Sequence, residues 1–252
     1  MRYFIEFSYN GTAYNGWQKQ NNALGVQQVL EEAISKLVRK PIELTGSSRT
    51  DAGVHAEQQF AHFDTEEIQR PDLFVNSING MIPFDVAVKR VFPVDDALNS
   101  RFAATHRCYE YRIAKRKNPF LIDQVYVLSA DLDVALMNQA AHILMQYDDF
   151  ESFSKLHTNV NNFRCKIMEA TWLERGDLLI FKVKANRFLR GMVRALVGTM
   201  VNVGKGKTSL KAFEEIILLK NRKYAGAQAP AAGLFLVEVG YPDSILAGSS
   251  AE

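Results

Sequence analysis

Only two cysteines, Cys108 and Cys165, occur in 252 residues. That is too few for a disulfide framework, and in an unexported chain both are expected to be reduced thiols. There is no Cys-x-x-Cys and the five histidines are scattered, so a metal site such as zinc is not expected. No apolar run approaches the roughly 18–20 residues that span a bilayer. The opening Met1-Arg2-Tyr3-Phe4-Ile5-Glu6 carries charge inside its short apolar stretch, unlike a secretory signal. A cytoplasmic protein is therefore expected. A phosphate-binding loop is also missing. Gly206-Lys207-Thr208 resembles the end of one, but position 201 is Val where the motif needs Gly, and the segment follows a helical pattern rather than a strand.

The composition that remains, 47% apolar, is that of a packed globular protein and excludes disorder or a collagen-like chain. The length fits one large domain or two of moderate size. The net charge is only +2, but it is unevenly spread. Residues 182–211 hold eight Lys or Arg and no Asp or Glu. Residues 101–117 hold six Lys or Arg against the single acid Glu110. Everything else carries 16 basic and 27 acidic groups, a net −11. Such asymmetry suits a local anion-binding surface on an acidic body, and equally suits solvated strand and helix faces.

Tyr3, Ile5, Phe7 and Tyr9 alternate as in a half-buried strand. Apolar residues at 26, 29, 30, 33, 34 and 37 follow helical spacing after Gly25, with Pro41 ending the run. Short strands near Ile42–Thr45 and Gln58–Phe63, a short helix after Pro71 and a strand at Val86–Val91 complete a β-α-β-β-α-β order. The second half repeats it. Arg107–Ala114 and Val125–Leu128 read as strands, and a helix begins after Asp133, a plausible N-cap. Lys166–Glu174 and Leu178–Ala185 form a hairpin around Gly176-Asp177. Helices follow at Phe188–Val203 and Leu210–Lys220, the latter capped by Ser209, before a last strand at Leu234–Val239. The expected fold is α+β: two ferredoxin-like, split β-α-β halves, residues 1–103 and 104–252. They share a continuous, mainly antiparallel central sheet with helices packed on it and a basic cleft.

The segment richest in chemistry is Gly46-Ser47-Ser48-Arg49-Thr50-Asp51-Ala52-Gly53-Val54-His55-Ala56, between two expected strands. Arg49 and Asp51 are two apart, so an extended backbone points both side chains the same way. Arg49 is then placed to hold Asp51 ionised, as a nucleophile or base. By physics alone the segment fits equally an Asp-Ala-Gly turn with a surface ion pair.

This stretch resembles the active-site motif of the tRNA pseudouridine synthase A family, the tRNA pseudouridine(38-40) synthases, with Arg49 to Ala56 fitting its pattern consecutively. The resemblance extends in register over nearly the whole chain. Tyr9-Asn10-Gly11-Thr12-Ala13-Tyr14-Asn15-Gly16-Trp17-Gln18-Lys19-Gln20 resembles the opening strand and loop. Asn99-Ser100-Arg101-Phe102-Ala103-Ala104-Thr105, followed by Tyr109-Glu110-Tyr111, resembles the central motif. Asn186 to Gly198 resembles the C-terminal helix motif, and Gly233-Leu234-Phe235-Leu236 through Tyr241-Pro242 the closing strand.

The resemblance implies an isomerase that converts uridine to pseudouridine in the tRNA anticodon stem-loop, at U38, U39 and U40, on a flipped-out base. It implies Asp51 as catalytic nucleophile, Tyr109 as the aromatic that stacks on the target base, and Arg194 as the partner of the Asp51 carboxylate. Arg49 is implied to help open the stem or fill the vacated stack. Arg187, Arg190 and Arg194 fall at i, i+3 and i+7 on the expected helix, one stripe facing partly the cleft and partly phosphates. With Arg101, Phe102 and Lys205 they are the expected RNA contacts. Tyr109 as strand core, and the arginines as a solvated face, are the plain alternatives. The family implies no metal, no nucleotide or other cofactor, and a homodimer whose two subunits both contact one tRNA. The competing reading is a non-catalytic module that binds structured RNA. Two departures from the family pattern are visible. Cys165 stands where the family commonly has Arg, with Arg164 one position earlier, and the segment His157–Phe163, placed by the resemblance in a tRNA-contacting loop, is rich in Asn.

Overall fold

The computed structural model describes residues 1–156 and 160–246. They form nine strands of a mainly antiparallel sheet, with six α-helices. The chain divides into two compact units, one of residues Met1–His106 with Leu236–Glu252, the other of Arg107–Phe235.

In the first unit, β1 (Arg2–Tyr9) lies between β3 (His55–Asp64) and β4 (Val86–Val94), antiparallel to both. A two-residue β2 (Thr45–Gly46) pairs with β3. The half-buried reading of β1 needs correction: both of its faces are covered. Phe4 points away from Tyr3 and Ile5, yet it packs against Phe92 and Tyr241 at ring distances of 6.0 and 5.4 Å. Glu6 on that second face is buried but paired, accepting from Arg90 Nε at 2.5 Å and from Gln58 Nε2 at 2.9 Å. A buried carboxylate survives only with such partners. Helix α1 (Val26–Val38) buries Val26, Leu30, Ala33 and Ile34, and stops at Arg39 in the left-handed region. Helix α2 (Pro71–Asn79) begins on the expected proline.

In the second unit, β5 (His106–Ala114) pairs with β8 (Leu178–Ala185), and β8 with β7 (Ile167–Arg175), all antiparallel. The two-residue β6 (Tyr126–Val127) runs parallel to β5. Helix α3 (Val134–Leu144) is capped by Asp133, whose carboxylate accepts from Leu136 N–H at 2.9 Å. Helix α5 (Leu210–Leu218) is capped by Ser209, accepting from Ala212 N–H at 3.2 Å. Strand β9 (Leu234–Gly240) begins in this unit and ends in the first, and α6 (Asp243–Leu246) follows it.

Helix α4 (Met192–Gly204) differs from the expected Phe188–Val203. Gly191 precedes it at φ 70°, and a Cβ there would lie 2.1 Å from Gln228 Nε2. A side chain at 191 therefore meets both left-handed strain and a filled space. Residues 188–190 form the entry to the helix, so only Arg194 of the expected arginine stripe is helical. The Gly206-Lys207-Thr208 segment follows the C-terminus of α4, the end of a helix that repels phosphate.

Both cysteines are buried, with relative exposures of 0% for Cys108 and 1% for Cys165. Burial, the largest cause, pushes the Cys165 thiol up to about 11 although Arg187 pulls the other way. The thiolate is the species that alkylates. Native protein at pH 8 is therefore expected to resist iodoacetamide at both sites and to take up two labels in denaturant. Rapid labelling of either in the folded chain, read by mass, refutes this.

Candidate active site

The Asp51 loop is pinned at its strand end by a buried glutamine. Gln59 accepts from Ser47 Oγ at 2.7 Å and donates to Ser48 O at 2.9 Å. Ser47 N–H donates to Phe60 O at 2.7 Å. Further on, Tyr9 and Thr50 share a hydroxyl hydrogen bond of 2.8 Å. Asp51 then opens a turn, its carbonyl accepting from Val54 N–H at 3.1 Å.

The loop after β1 is laid backbone-on-backbone against this turn. Trp17 N–H donates to Thr50 O at 3.3 Å, and Gly53 N–H to Tyr14 O at 3.2 Å. Gly11 N–H donates to the buried His55 Nδ1 at 3.0 Å. Tyr14 is held in turn by Asp85, its hydroxyl donating at 2.6 Å. The closeness of the layers explains two glycines. A Cβ on Gly11 would lie 2.0 Å from Val54 O, and one on Gly16, itself at φ +83°, 2.3 Å from Thr50 O. Asp51 is left half-buried on a turn that its neighbours hold from two sides. Arg49 is exposed and makes no ion pair with Asp51.

Arg101 and Phe102 are exposed on a neighbouring turn of the same unit, the guanidinium 5.8 Å from the Phe102 ring centre. Buried Ser100 anchors that turn. Its hydroxyl donates to Thr45 O at 2.7 Å, its N–H to His62 Nδ1 at 3.2 Å, and its carbonyl accepts from Tyr241 Oη at 2.6 Å. Burial, reinforced by Arg2, lowers the His62 pKa, so the ring stays neutral and can accept. Single-position reading of the sequence missed Gln59, Ser100 and Tyr241 as site supports. Ser100 and Tyr241 stood within the central and closing motifs, and Gln59 was a polar residue inside an otherwise apolar strand pattern.

The second unit holds Tyr109, Arg187, Arg190, Arg194 and Lys205. Tyr109 lies buried on β5, with its ring edge-on to Phe188 at 5.1 Å and 90°. Arg107 beside it is buried and donates to Asn186 O at 3.1 Å. The Asn186 side chain accepts from Lys166 N–H at 2.7 Å and Arg187 N–H at 2.9 Å, fixing the entry to α4. Arg194, half-buried in the first turn of α4, donates from Nε to Ala229 O at 2.6 Å. Segment 226–230 therefore lies on α4, and Gly198 admits it: a Cβ there would be 1.8 Å from Ala227 O. Arg190 is exposed, and Arg187 and Lys205 are half-buried. Arg164 is exposed, 3.8 Å from Asp148, while Cys165 is buried. Of the segment His157–Phe163, residues 157–159 lie outside the described residues.

Among the described residues no three His, Cys, Asp or Glu gather as a metal site, and no helix is long and apolar enough to cross a membrane. The family model described as tRNA pseudouridine synthase matches residues 6–102 and 140–242. The chain is 45% identical over 245 residues to tRNA pseudouridine synthase A of Parabacteroides distasonis, covering 97% of each chain. It is 46% identical over 246 residues to that of Bacteroides fragilis, covering 97% of this chain and 98% of the relative. It is 35% identical over 243 residues to that of Exiguobacterium sibiricum, covering 96% and 98%. The braced Asp51 turn lies within the matched residues, and the chain belongs to the tRNA pseudouridine synthase family, isomerases that act on uridine in tRNA.

Proposed function

We propose that this chain converts uridine to pseudouridine at U38, U39 and U40 of the tRNA anticodon stem-loop, with Asp51 as the nucleophile. The observation that carries the reading is the turn itself: a half-buried aspartate on a backbone turn braced by the loop after β1, in a member of this family. An RNA-binding module gains nothing from a rigid anion that repels phosphate, whereas a catalyst needs one held in place.

The target base first leaves the stack, at a cost of a few kcal/mol. Tyr109 stacks on it and offsets part of that cost. Asp51 attacks C1′ of the ribose or C6 of the uracil. The N1–C1′ bond breaks, the base turns, C5 bonds to C1′, and the bond to Asp51 breaks as its carboxylate leaves. C5 then gives its proton to solvent and N1 takes one up, so no oxidant or reductant is consumed. Arg194 meets the Asp51 carboxylate and keeps it ionised as water leaves. Arg49, exposed and without an ion pair to another described residue, acts on the RNA, opening the stem or filling the gap the base leaves. The protein works in the cytoplasm as a homodimer, both subunits contacting one tRNA.

A map of the pseudouridines that purified protein forms in undermodified bulk tRNA tests the assignment. Conversion confined to positions 38–40 is expected; conversion elsewhere, or none, overturns it. The basic residues have a separate test. Arg187→Ala with Arg190→Ala is expected to weaken tRNA binding and to flatten the dependence of log K on log salt by about 1–2 units, roughly 0.7–0.9 for each phosphate no longer neutralised. An unchanged slope returns both to a solvated face.

A further inference from the structure

Strand β6 lies parallel to β5, with Tyr126 opposite Ile113 and Val127 opposite Ala114. Parallel neighbours cannot be joined by a tight turn. Residues 115–125 therefore leave the end of β5 and return to its level, and they protrude in doing so. The first three, Lys115, Arg116 and Lys117, are exposed, and none makes an ion pair or side-chain hydrogen bond with another described residue.

Beyond them the chain enters a fixed turn. Asn118 Oδ1 accepts from Phe120 N–H at 2.9 Å, and Asn118 O from Leu121 N–H at 3.1 Å. Leu121 O accepts from Gln124 N–H at 3.1 Å, and Pro119 locks φ within the turn. This turn presents Phe120 to solvent at 89% exposure and, two residues on, Ile122 at 66%.

A charge run alone is a solvated face. A bare phenyl ring held out on an ordered turn beside three cations that pair with no described residue is a different object. Its chemistry matches RNA with unpaired bases, which offers an aromatic face to stack on and phosphates at close intervals. A second copy of the chain fits less well, since a two-fold contact through this patch sets the same cations against each other.

Tyr109 lies six residues before Lys115 on β5, about 20 Å away at roughly 3.3 Å per residue. The loop that carries Phe120 thus leaves its strand several residues beyond Tyr109, past Ala114. We propose that residues 115–122 form a second RNA grip, remote from the reacting uridine, in which Phe120 stacks on an unpaired base and Lys115, Arg116 and Lys117 hold the phosphates around it. The proposal rests on tRNA being the substrate.

The test is tRNA binding by the full-length protein across a salt series, with sedimentation run in parallel. Lys115→Gln, Arg116→Gln and Lys117→Gln combined are expected to weaken binding at least tenfold and to flatten the salt slope by about 2–3 units. Phe120→Ser is expected to weaken binding about fivefold or more with the slope unchanged, as removal of a stacking platform does. Lys36→Ala, an exposed cation on α1, leaves both as they are. Wild-type binding and isomerisation with both loop variants indistinguishable from it overturns this proposal alone. A change of sedimentation with tRNA affinity intact also overturns it, in favour of a contact between copies. Failure of the wild type to bind tRNA sinks the functional reading beneath it.

Discussion

Asp51→Asn is expected to abolish tritium release from tRNA labelled at uridine C5 while tRNA affinity stays within about tenfold, or about 1.4 kcal/mol. The amide keeps the shape of the carboxylate and removes its charge. It can neither attack carbon nor leave again as a stable anion, so the covalent route closes. Binding has less to lose, because an anion facing RNA opposes phosphate and its neutralisation favours association. Asp51→Glu provides a sharper form of the test. One added methylene on a turn braced from two sides displaces the carboxylate by about 1 Å, for which a loss on the order of a hundredfold in rate is expected. Full release by the Asn variant removes Asp51 from the chemistry.

Gly16→Ala should do nearly as much damage without touching a catalytic group. Its φ of +83° costs an alanine roughly 1–2 kcal/mol, and the new Cβ would stand 2.3 Å from Thr50 O and 3.0 Å from the Asp51 carbonyl carbon. Both of those are backbone atoms, so the Asp51 turn has to move. Gly176 in the β7–β8 hairpin also has positive φ, +59°, but nothing lies within 4 Å of its would-be Cβ. The pair separates strain from displacement. Both alanine variants should melt at lower temperature, but only Gly16→Ala should lower kcat, by a hundredfold or more. Equal kcat in the two would mean that the loop after β1 does not set the position of Asp51.

Element order was legible because local rules decided it. The Asp133 and Ser209 caps, the Gly176-Asp177 hairpin and the Pro71 helix start all act within a few residues of themselves. The failures share another cause. Phe188-Leu189-Arg190 has helical spacing, but Gly191 at φ 70° interrupts it, and the Gly191 carbonyl accepts from Gln228 Nε2, nearly forty residues on, at 3.3 Å. Glu6 reads as a solvent-facing residue until Arg90 and Gln58 come from other strands to satisfy it. The motif marked Asp51 itself. Its mounting was not readable, because Gly11 and Gly16 matter through contacts with Val54 and Thr50 that exist only once β1 has paired with β3.

The first unit is completed by residues from the far end of the chain. Tyr241 fills the space between Phe4 and Phe60, at ring distances of 5.4 and 5.1 Å, and its hydroxyl secures Ser100. On the ribosome, residues 1–106 emerge first and then wait while 107–235 are made, roughly 6–26 s at 5–20 residues per second. Throughout that interval the nascent unit has a hole where a tyrosine belongs, and the Ser100 carbonyl lacks one of the three bonds that anchor the Arg101-Phe102 turn. A chain cut short before Tyr241 therefore carries the whole Asp51 motif but cannot finish the unit that holds it, so incomplete translation products are left without the mature scaffold.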